Sequence, residues 1–275
     1  MPVRTEIAPG VAVGDGEPML VIAGPCVLTT KEQAVEVATA MRDFCKSAGF
    51  GYVFKASFDK ANRTSVQSQR GPGIEAGLEI LQAVKDEVSV PVTTDIHLPE
   101  QAGPVGEVVD ILQIPAFLCR QTDLLIAAGA TGRAVNVKKG QFMSPDAMRH
   151  AVDKVRMGGS RNVLLTERGT TFGYHNLVVD MRSIPEMRAH GVPVIIDATH
   201  SVQRPAALGD ATGGDREMVP PIMFGAIAAG ADGVFVETLP DPSESPSDGE
   251  NMVPLAELPA MLEKAGRIFG IVRAE

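Results

Sequence analysis

The sequence predicts an α/β protein built as a single (β/α)8 barrel, and three observations support this. Short, fully apolar segments recur along the chain and are typical of parallel strands buried on both faces. Helical patterns follow these segments through short connections. Eight such strand–helix units in a chain of 275 residues fit the usual barrel size of about 250 residues. An open doubly wound sheet is the alternative, but no glycine-rich fingerprint follows the first strand.

The N-terminal segment, residues 1–18, is predicted to form a β-hairpin ahead of the barrel. Residues 3–7 and 11–13 alternate between polar and apolar positions around Pro9–Gly10, which is typical of two strands joined by a tight turn. The whole chain, residues 1–275, is interpreted as one domain that carries this extension.

The first strand–helix unit is predicted from an apolar strand at 19–24. Thr30 and Gln33 form a capping box at the start of the following helix, and Gly49 ends it. The later strands are predicted at 51–54, 92–95, 109–113, 134–138, 162–166, 193–196 and 233–237. The later helices are predicted at about 73–88, 99–106, 121–129, from Pro145 to Gly158, at 180–189, at about 218–229 and along an apolar face from Leu255 to Phe269.

Composition and charge restrict the class of protein. The net charge is −9, which argues against a general nucleic-acid binder. Cys26, Cys45 and Cys119 form no Cys-x-x-Cys pair and no disulfide framework, so a reducing compartment is expected. The N-terminus lacks a signal-peptide core, and no apolar run approaches the roughly 20 residues that cross a bilayer. We therefore expect a cytoplasmic protein without nucleic-acid or membrane partners.

Every predicted strand delivers a reactive or ionic side chain to its carboxyl end. In a (β/α)8 barrel these ends form one rim, where the chemistry of such barrels takes place. Each side chain alone could be a helix cap, a solvated strand end or a core residue, but eight together predict a functional site. Along the chain they are Cys26, Lys55, Asp95, Gln113, Lys138, Arg168, His200 and Glu237. Two long connections, 201–217 and 238–253, have the length that often forms a lid.

The loop after the second strand carries side chains suited to phosphate oxygens. Arginine offers a planar fork, lysine a point charge, and serine or threonine short donors. A solvated basic loop is the simpler reading, but a basic loop in an acidic protein favours a local anion site. The loop contains Lys55, Lys60, Asn62, Arg63, Thr64 and Ser65. With Lys138 and Arg168, the rim has four cations near strand ends, enough for a carboxylate and a phosphate on one small molecule.

A second group of rim residues has the chemistry of metal ligands. Barrel closure sets the first strand beside the eighth, and the seventh strand is next along. A thiolate, an imidazole and two carboxylates would then meet, and this mixed set suits Zn²⁺, Fe²⁺ or Mn²⁺. The four candidates are Cys26, His200, Glu237 and Asp248.

Ten short runs of sequence resemble one known family over nearly the whole chain. They lie at 22–26, 54–65, 70–73, 94–97, 113–118, 136–139, 167–169, 172–174, 197–200 and 247–249. On these runs the chain resembles the 3-deoxy-D-manno-octulosonate 8-phosphate synthase family. The run from Lys60 to Thr64, Lys-Ala-Asn-Arg-Thr, is the most specific. Relatives that use erythrose 4-phosphate carry a Lys-Pro-Arg-Thr type of sequence there, and some family members have Ser at the position of Thr64.

The resemblance implies a transferase that condenses phosphoenolpyruvate with D-arabinose 5-phosphate in lipopolysaccharide precursor biosynthesis. By position, phosphoenolpyruvate would be held by Lys55, Lys60, Lys138 and Arg168, with Gln113 nearby. The pentose phosphate would be reached by Asn62, Arg63 and Thr64, the last two from a neighbouring subunit of a homotetramer. Asp95 and Gln203 would line the sugar end. The implied catalytic residues are Lys55, Lys60, Asp95, Lys138, His200 and Asp248.

The resemblance also bears on the metal. The family divides into a metal-using branch with Cys and a metal-free branch with Asn at the position of Cys26. The cysteine implies the metal-using branch, with a divalent ion, Zn, Fe or Mn, held by Cys26, His200, Glu237 and Asp248.

Three alternatives remain open from the residues. One is an aldolase that forms a Schiff base through a strand-end lysine, Lys55 or Lys138. Another is a sibling synthase that uses erythrose 4-phosphate, which Ala61–Asn62 disfavours because a proline would stand there. The third is a phosphosugar-binding barrel without catalysis, which would not need the metal set.

Overall fold

A closed barrel of eight parallel strands forms the centre of the computed structural model, which describes residues 3–62, 67, 69–174, 176–204 and 213–274. A hairpin, β1 (Arg4–Ala8) and β2 (Val11–Gly14), precedes it. The barrel strands are β3 (Leu20–Gly24), β4 (Gly51–Lys55), β5 (Val92–Asp95), β6 (Ile111–Ile114), β7 (Ala134–Lys138), β8 (Val163–Glu167), β9 (Val194–Asp197) and β10 (Gly233–Leu239). Each pairs with the next, and β10 also pairs with β3. The predicted (β/α)8 barrel is confirmed, and the open doubly wound sheet is excluded.

A helix follows each barrel strand, as the sequence predicts. The helices are α1 (Lys31–Ala48), α2 (Ile74–Val88), α3 (Ala102–Val108), α4 (Thr122–Ala130), α5 (Arg149–Gly158), α6 (Ser183–Arg188), α7 (Val219–Ala228) and α8 (Leu258–Arg273). At the start of α1 the Thr30 hydroxyl accepts from the Gln33 backbone N–H at 3.2 Å. The Gln33 side-chain oxygen accepts from the Thr29 hydroxyl at 2.6 Å, so the reciprocal half of the predicted capping box has a different partner. Gly49 ends the helix at φ +72°, in the left-handed region that favours glycine.

The N-terminal hairpin closes the bottom of the barrel. Ile7 and Val13 pack into one apolar cluster with inward-facing residues of the barrel strands. Asp15, just after the hairpin, pairs with Arg188 at 2.6 Å and with Arg273 at 3.2 Å. The predicted hairpin is therefore confirmed, and it seals the end of the barrel opposite the predicted site.

The connections near the carboxyl ends of the strands contain short elements that the sequence pattern did not predict. A hairpin pairs Thr170–Phe172 with Asn176–Val178. Gln203–Arg204 pairs with Gly213–Gly214, and Val253–Pro254 extends the sheet beside the end of β10. The two long connections thus carry local structure, while the lid role remains a prediction and residues 205–212 lie outside the described part of the chain.

Gly24, at the end of β3, shows why the chain is tightly constrained beside the site. A Cβ atom at this position would lie 2.1 Å from the carbonyl oxygen of Lys55. Only glycine lets the ends of β3 and β4 approach this closely, and the approach brings Cys26 beside Lys55.

In the described part of the chain, no helix is both long and apolar enough to cross a membrane. The assignment of residues 1–275 to one domain stays a prediction.

Candidate active site

A cavity of about 830 Å³ opens at the carboxyl ends of the barrel strands. The structure brings together at this mouth side chains that are scattered widely along the chain. Its lining includes Lys55, Lys60, Lys138, Arg168, His200 and Asp248. Asn62, Asp95 and Gln203 also line it. Arg63 and Thr64 lie outside the described residues. Cys26, Gln113 and Glu237 are fully buried and are not among the lining residues. The predicted convergence is therefore present for the nine lining residues named here, and the role of each remains a prediction.

Cys26, Glu237 and Asp248 form a compact candidate metal centre. One ligand atom from each lies within 4.8 Å of the other two. The Cys26 thiol donates to Asp248 Oδ2 at 3.3 Å, because burial and the nearby Glu237 raise the pKa of the thiol. The Oε2 atom of Glu237 is buried and has no hydrogen-bond partner within the described ranges. A thiol and two carboxylates, one of which has an unsatisfied buried oxygen, suit a divalent transition-metal ion such as Zn²⁺, Fe²⁺ or Mn²⁺.

His200 stands beside this trio. Its Nε2 atom lies 3.6 Å from Glu237 Oε1, but His200 is not in the group whose ligand atoms all lie within 4.8 Å of one another. The other ring nitrogen, Nδ1, lies 2.8 Å from Asp197 Oδ2. A carboxylate on Nδ1 fixes the imidazole so that the lone pair of Nε2 faces the trio, as in many carboxylate–histidine–metal arrangements.

Asp197 was not among the candidate site residues from the sequence. It ends β9 and is fully buried. Its carboxylate accepts from Lys138 Nζ at 2.6 Å, from the His200 ring at 2.8 Å and from the His200 backbone N–H at 2.9 Å. Burial alone would raise its pKa, but His200 and Lys138 outweigh burial and hold the pKa of Asp197 well below its usual range. Its place three residues before a candidate ligand on the same strand end was the available signal.

The lysines of the mouth are held by carboxylates. Lys55 Nζ donates to Glu237 Oε1 at 2.8 Å and to the Cys26 carbonyl at 3.1 Å. Lys60 Nζ lies 3.8 Å from the same Glu237 oxygen. Lys138 Nζ lies 3.8 Å from the centre of the Phe235 ring, in cation–π contact.

Burial and neighbouring charges shift the pKa values of these groups in opposite directions. Burial would lower the pKa of Lys60, but Cys26, Glu237 and other anionic groups outweigh it and raise that pKa well above its usual value. Burial does lower the pKa of Lys138, even though Asp197 opposes the shift. The pKa values of Glu237 and Asp248 are lowered because, despite burial, the cations around them favour the ionised form. Buried lysines and buried carboxylates therefore lie next to one another at the mouth.

Arg168 carries an unused donor at the mouth. Its Nη2 atom donates to Gln203 Oε1 at 2.5 Å, and Gln203 Nε2 donates to Asp248 Oδ1 at 2.8 Å. The Nη1 atom of Arg168 is buried and finds no partner in the portion of the chain described. A buried guanidinium with a free N–H group is suited to an anionic ligand oxygen.

The turn that carries Arg168 is fixed by a pair the sequence did not single out. Glu167 Oε1 accepts from the backbone N–H groups of Arg168 at 3.0 Å and Gly169 at 2.7 Å. Lys139, also buried, lies 3.3 Å from the same oxygen. A buried ion pair of this kind holds the backbone of the turn and therefore the direction of the guanidinium.

The fold and the site together define a (β/α)8 barrel with lysine and arginine side chains at its mouth and a candidate metal centre beside them. The chain belongs to the DAHP synthetase I family, whose profile matches residues 1–269. Three similar relatives are each named 2-dehydro-3-deoxyphosphooctonate aldolase. The relative from Nitratidesulfovibrio vulgaris is 57% identical over 251 residues, covering 91% of this chain and 92% of the relative. Those from a Cyanothece species and Trichlorobacter lovleyi are 53% and 51% identical, covering 95% and 96% of this chain and 96% and 97% of theirs.

Proposed function

We propose that this chain condenses phosphoenolpyruvate with D-arabinose 5-phosphate and water, giving 3-deoxy-D-manno-octulosonate 8-phosphate and inorganic phosphate. This is a step in lipopolysaccharide precursor biosynthesis. The observation that carries the proposal is the meeting of Lys55, Lys60, Lys138 and Arg168 at one mouth beside a candidate metal centre. The relatives support it, because 2-dehydro-3-deoxyphosphooctonate aldolase is another name for the synthase of this reaction.

In this proposal the cations of the mouth hold phosphoenolpyruvate. Arg168 offers its free Nη1 donor to the phosphate or carboxylate, while Lys138 and Lys55 present ammonium groups from β7 and β4. Gln113 lies nearby on β6. Two anionic substrates repel each other in water, so fixed cations are needed to bring them into contact.

The sugar phosphate is assigned to the outer part of the cavity. Asp95 and Gln203 line the sugar end, and Asn62 reaches the pentose phosphate with Arg63 and Thr64. Each carboxylate oxygen of Asp95 accepts one hydrogen bond, from Ser57 or from Gln113, and keeps a second lone pair to accept from a sugar hydroxyl. Lys60, between this region and Glu237, is placed to contact either substrate.

The reaction then needs charge stabilisation more than it needs covalent catalysis. C3 of the enol attacks the aldehyde carbon of the open-chain sugar, and positive charge develops at C2. Water adds at C2, and the hemiketal phosphate loses inorganic phosphate through C–O cleavage. The side chains of the mouth orient the two substrates and stabilise the anionic groups that form and leave.

A divalent ion held by Cys26, Glu237 and Asp248, with His200 as the fourth ligand, would supply Lewis-acid chemistry to the aldehyde, the sugar hydroxyls or a water molecule. Asp197 holds the imidazole of His200 in the orientation that this ligand role requires.

The cytoplasmic location expected from the sequence stays a prediction.

The aldolase that works through a Schiff base is disfavoured by the surroundings of its candidate lysines. Lys138 is held in an ion pair with Asp197 at 2.6 Å, and Lys55 in one with Glu237 at 2.8 Å. Each ammonium group is thus engaged by a carboxylate and would have to leave that partner before it could attack a carbonyl carbon.

One assay tests the proposed function against its rivals. Phosphate release from phosphoenolpyruvate is measured with D-arabinose 5-phosphate, with erythrose 4-phosphate and with no sugar, each with and without a chelator. We expect turnover with D-arabinose 5-phosphate, loss of turnover after chelation, and no trapping of protein by borohydride. Preferred use of erythrose 4-phosphate, borohydride trapping at Lys55 or Lys138, or no phosphate release would each contradict the proposal.

We further propose that the protein is a homotetramer in which each mouth receives Arg63 and Thr64 from a neighbour. Aromatic side chains on the loops around the mouth support an interface there, because they expose apolar surface to water. The exposed fractions are 54% for Phe117, 59% for Phe142, 69% for Phe172 and 94% for Tyr174.

Subunit sharing predicts recovery of activity in hybrids. An inactive Arg63→Ala chain, unfolded and refolded with an inactive Lys138→Ala chain, should regain part of the turnover, since some mouths then receive both intact residues. Light scattering should first give the mass of a tetramer for the hybrids. Verified hybrids without turnover would contradict the sharing, and a monomeric mass would contradict the assembly.

A further inference from the structure

Four polar side chains cross the upper layer of the barrel interior just beneath the mouth. They come from the neighbouring strands β5 to β8, and they are Asp95, Gln113, Asn136 and Thr166. Gln113 and Thr166 are fully buried, and Asn136 and Asp95 are 1% and 7% exposed. Interior layers of such barrels are usually filled by branched apolar residues. Buried polar groups are costly unless they are hydrogen-bonded, so this row has to satisfy its own members.

The row is a continuous chain of hydrogen bonds. The Thr166 hydroxyl donates to Asn136 Oδ1 at 2.7 Å. Asn136 Nδ2 donates to Gln113 Oε1 at 3.1 Å, and Gln113 Nε2 donates to Asp95 Oδ1. The other carboxylate oxygen of Asp95 accepts from the Ser57 hydroxyl. Every donor in the row therefore points towards Asp95.

The direction of this chain follows from chemistry, whichever way an amide is drawn. An ionised carboxylate only accepts, so Gln113 must turn its NH₂ group to Asp95 and its oxygen to Asn136. Asn136 must then turn its NH₂ group to Gln113 and its oxygen to Thr166. The threonine hydroxyl is free to rotate, and it completes the chain as the last donor. The carboxylate thus sets the orientation of both amides, and the hydroxyl on β8 supplies the donor that the last amide oxygen needs.

The charge at the end of the chain is consistent with this direction. Burial alone would raise the pKa of Asp95, but Lys55, Lys60 and Lys138 outweigh burial and hold the pKa well below its usual range. Aligned hydrogen bonds that end on a charge strengthen one another in a low-dielectric interior.

We propose that Thr166 is a positioning residue, which acts through Asn136 and Gln113 to hold Asp95 as an oriented acceptor for the sugar substrate. The inference rests on the proposed function, because it takes the aldose phosphate as the ligand of Asp95. Thr166 itself lies two side chains away from Asp95. Removal of its hydroxyl leaves Asn136 Oδ1 buried without its donor from the row, which weakens the chain of hydrogen bonds that holds the Asp95 carboxylate.

The test compares two substitutions that differ in one group. Thr166→Val keeps the volume and the branching at Cβ but removes the hydroxyl, whereas Thr166→Ser keeps the hydroxyl. We expect Thr166→Val to lower kcat/KM for D-arabinose 5-phosphate about tenfold, as for the loss of one buried hydrogen bond. The KM for phosphoenolpyruvate should stay within about twofold, and Thr166→Ser should stay close to the unmodified protein.

A double-mutant cycle separates positioning from mere packing. If Thr166 acts through Asp95, Thr166→Val should have no further effect in an Asp95→Asn background, although separated sites normally contribute additively. Calorimetric binding of D-arabinose 5-phosphate gives the same cycle if turnover of the Asp95→Asn protein is too slow to measure. The melting temperatures of all variants are recorded alongside.

Several results of these experiments would contradict the inference. Equal losses from Thr166→Val in both backgrounds, or equal effects of Thr166→Val and Thr166→Ser, would overturn the inference. So would an unchanged kcat/KM in Thr166→Val when the unmodified protein is active. An unmodified protein that releases no phosphate from phosphoenolpyruvate with D-arabinose 5-phosphate would instead overturn the proposed function itself.

Discussion

Substitution of Asp197 by asparagine is expected to cause the largest combined loss of stability and activity in the chain. Its fully buried carboxylate binds Lys138 at 2.6 Å and the His200 ring at 2.8 Å. Asparagine keeps the shape but leaves the buried ammonium of Lys138 without a counter-charge. Breaking such a pair on one side costs about 3–5 kcal/mol of unfolding free energy. The imidazole also loses its fixed orientation, so kcat/KM should fall about 10- to 100-fold.

Two comparisons make this prediction specific. Asp180→Asn removes an exposed ion pair with Arg182 and should leave both the denaturant midpoint and kcat/KM nearly unchanged. The double variant Asp197→Leu with Lys138→Met replaces both buried charges by apolar groups. It should recover only part of the unfolding free energy, because the His200 backbone N–H still loses its acceptor, and none of the activity. An active and stable Asp197→Asn protein would show that this carboxylate has no part in the site.

The barrel could be predicted because its determinants are local. Each strand is a short apolar run, each helix has its own spacing of apolar residues, and closure follows once eight units are counted. Closure in turn predicted that Cys26 and Asp248 would meet, and they lie in hydrogen-bond contact at 3.3 Å. The sequence alone could thus place the candidate site at the carboxyl ends of the barrel strands.

The detail within the mouth depends on distances that no local pattern encodes. Adjacent strands lie about 4.8 Å apart, so neighbouring strand ends bring side chains close without fixing which atoms touch. His200 was predicted with the trio and lies beside it, with Asp197 on its other nitrogen. The hairpin at 170–178 was missed for another reason. Its strand Thr170–Phe172 is exposed throughout, so it lacks the buried alternation by which strands are recognised.

The contacts within the polar row beneath the mouth could not be predicted from the sequence either. Gln113 and Asn136 were visible in the sequence as strand residues, and the resemblance assigned Gln113 to a substrate. Their mutual contact and the role of Thr166 appear only when β6, β7 and β8 are set in register. Directional hydrogen bonds between side chains depend on that register, which propensities do not specify.

Substitution of Cys26 by alanine is expected to weaken metal binding strongly while leaving the barrel folded. The thiol is buried between Glu237 and Asp248, and it supplies the only soft ligand of the candidate centre. Alanine fills most of the same space, so the melting temperature should change little, whereas the affinity for Zn²⁺ should fall about 100-fold or more for loss of a direct ligand. Titration calorimetry of the chelated protein with Zn²⁺, and metal content by mass spectrometry, measure the loss directly.

Cys45→Ala provides the matched control, because Cys45 is equally buried but lies on α1, in the apolar core away from the mouth. Its substitution should change the melting temperature by a similarly small amount, because each variant loses only one buried sulfur atom, and it should leave metal content and turnover intact. The two variants should therefore match in stability and differ in metal content and turnover. A Cys26→Ala protein that turns over at the full rate in metal-free buffer would remove the thiol from the ligand set, and with it the reason to assign this chain to the metal-using branch.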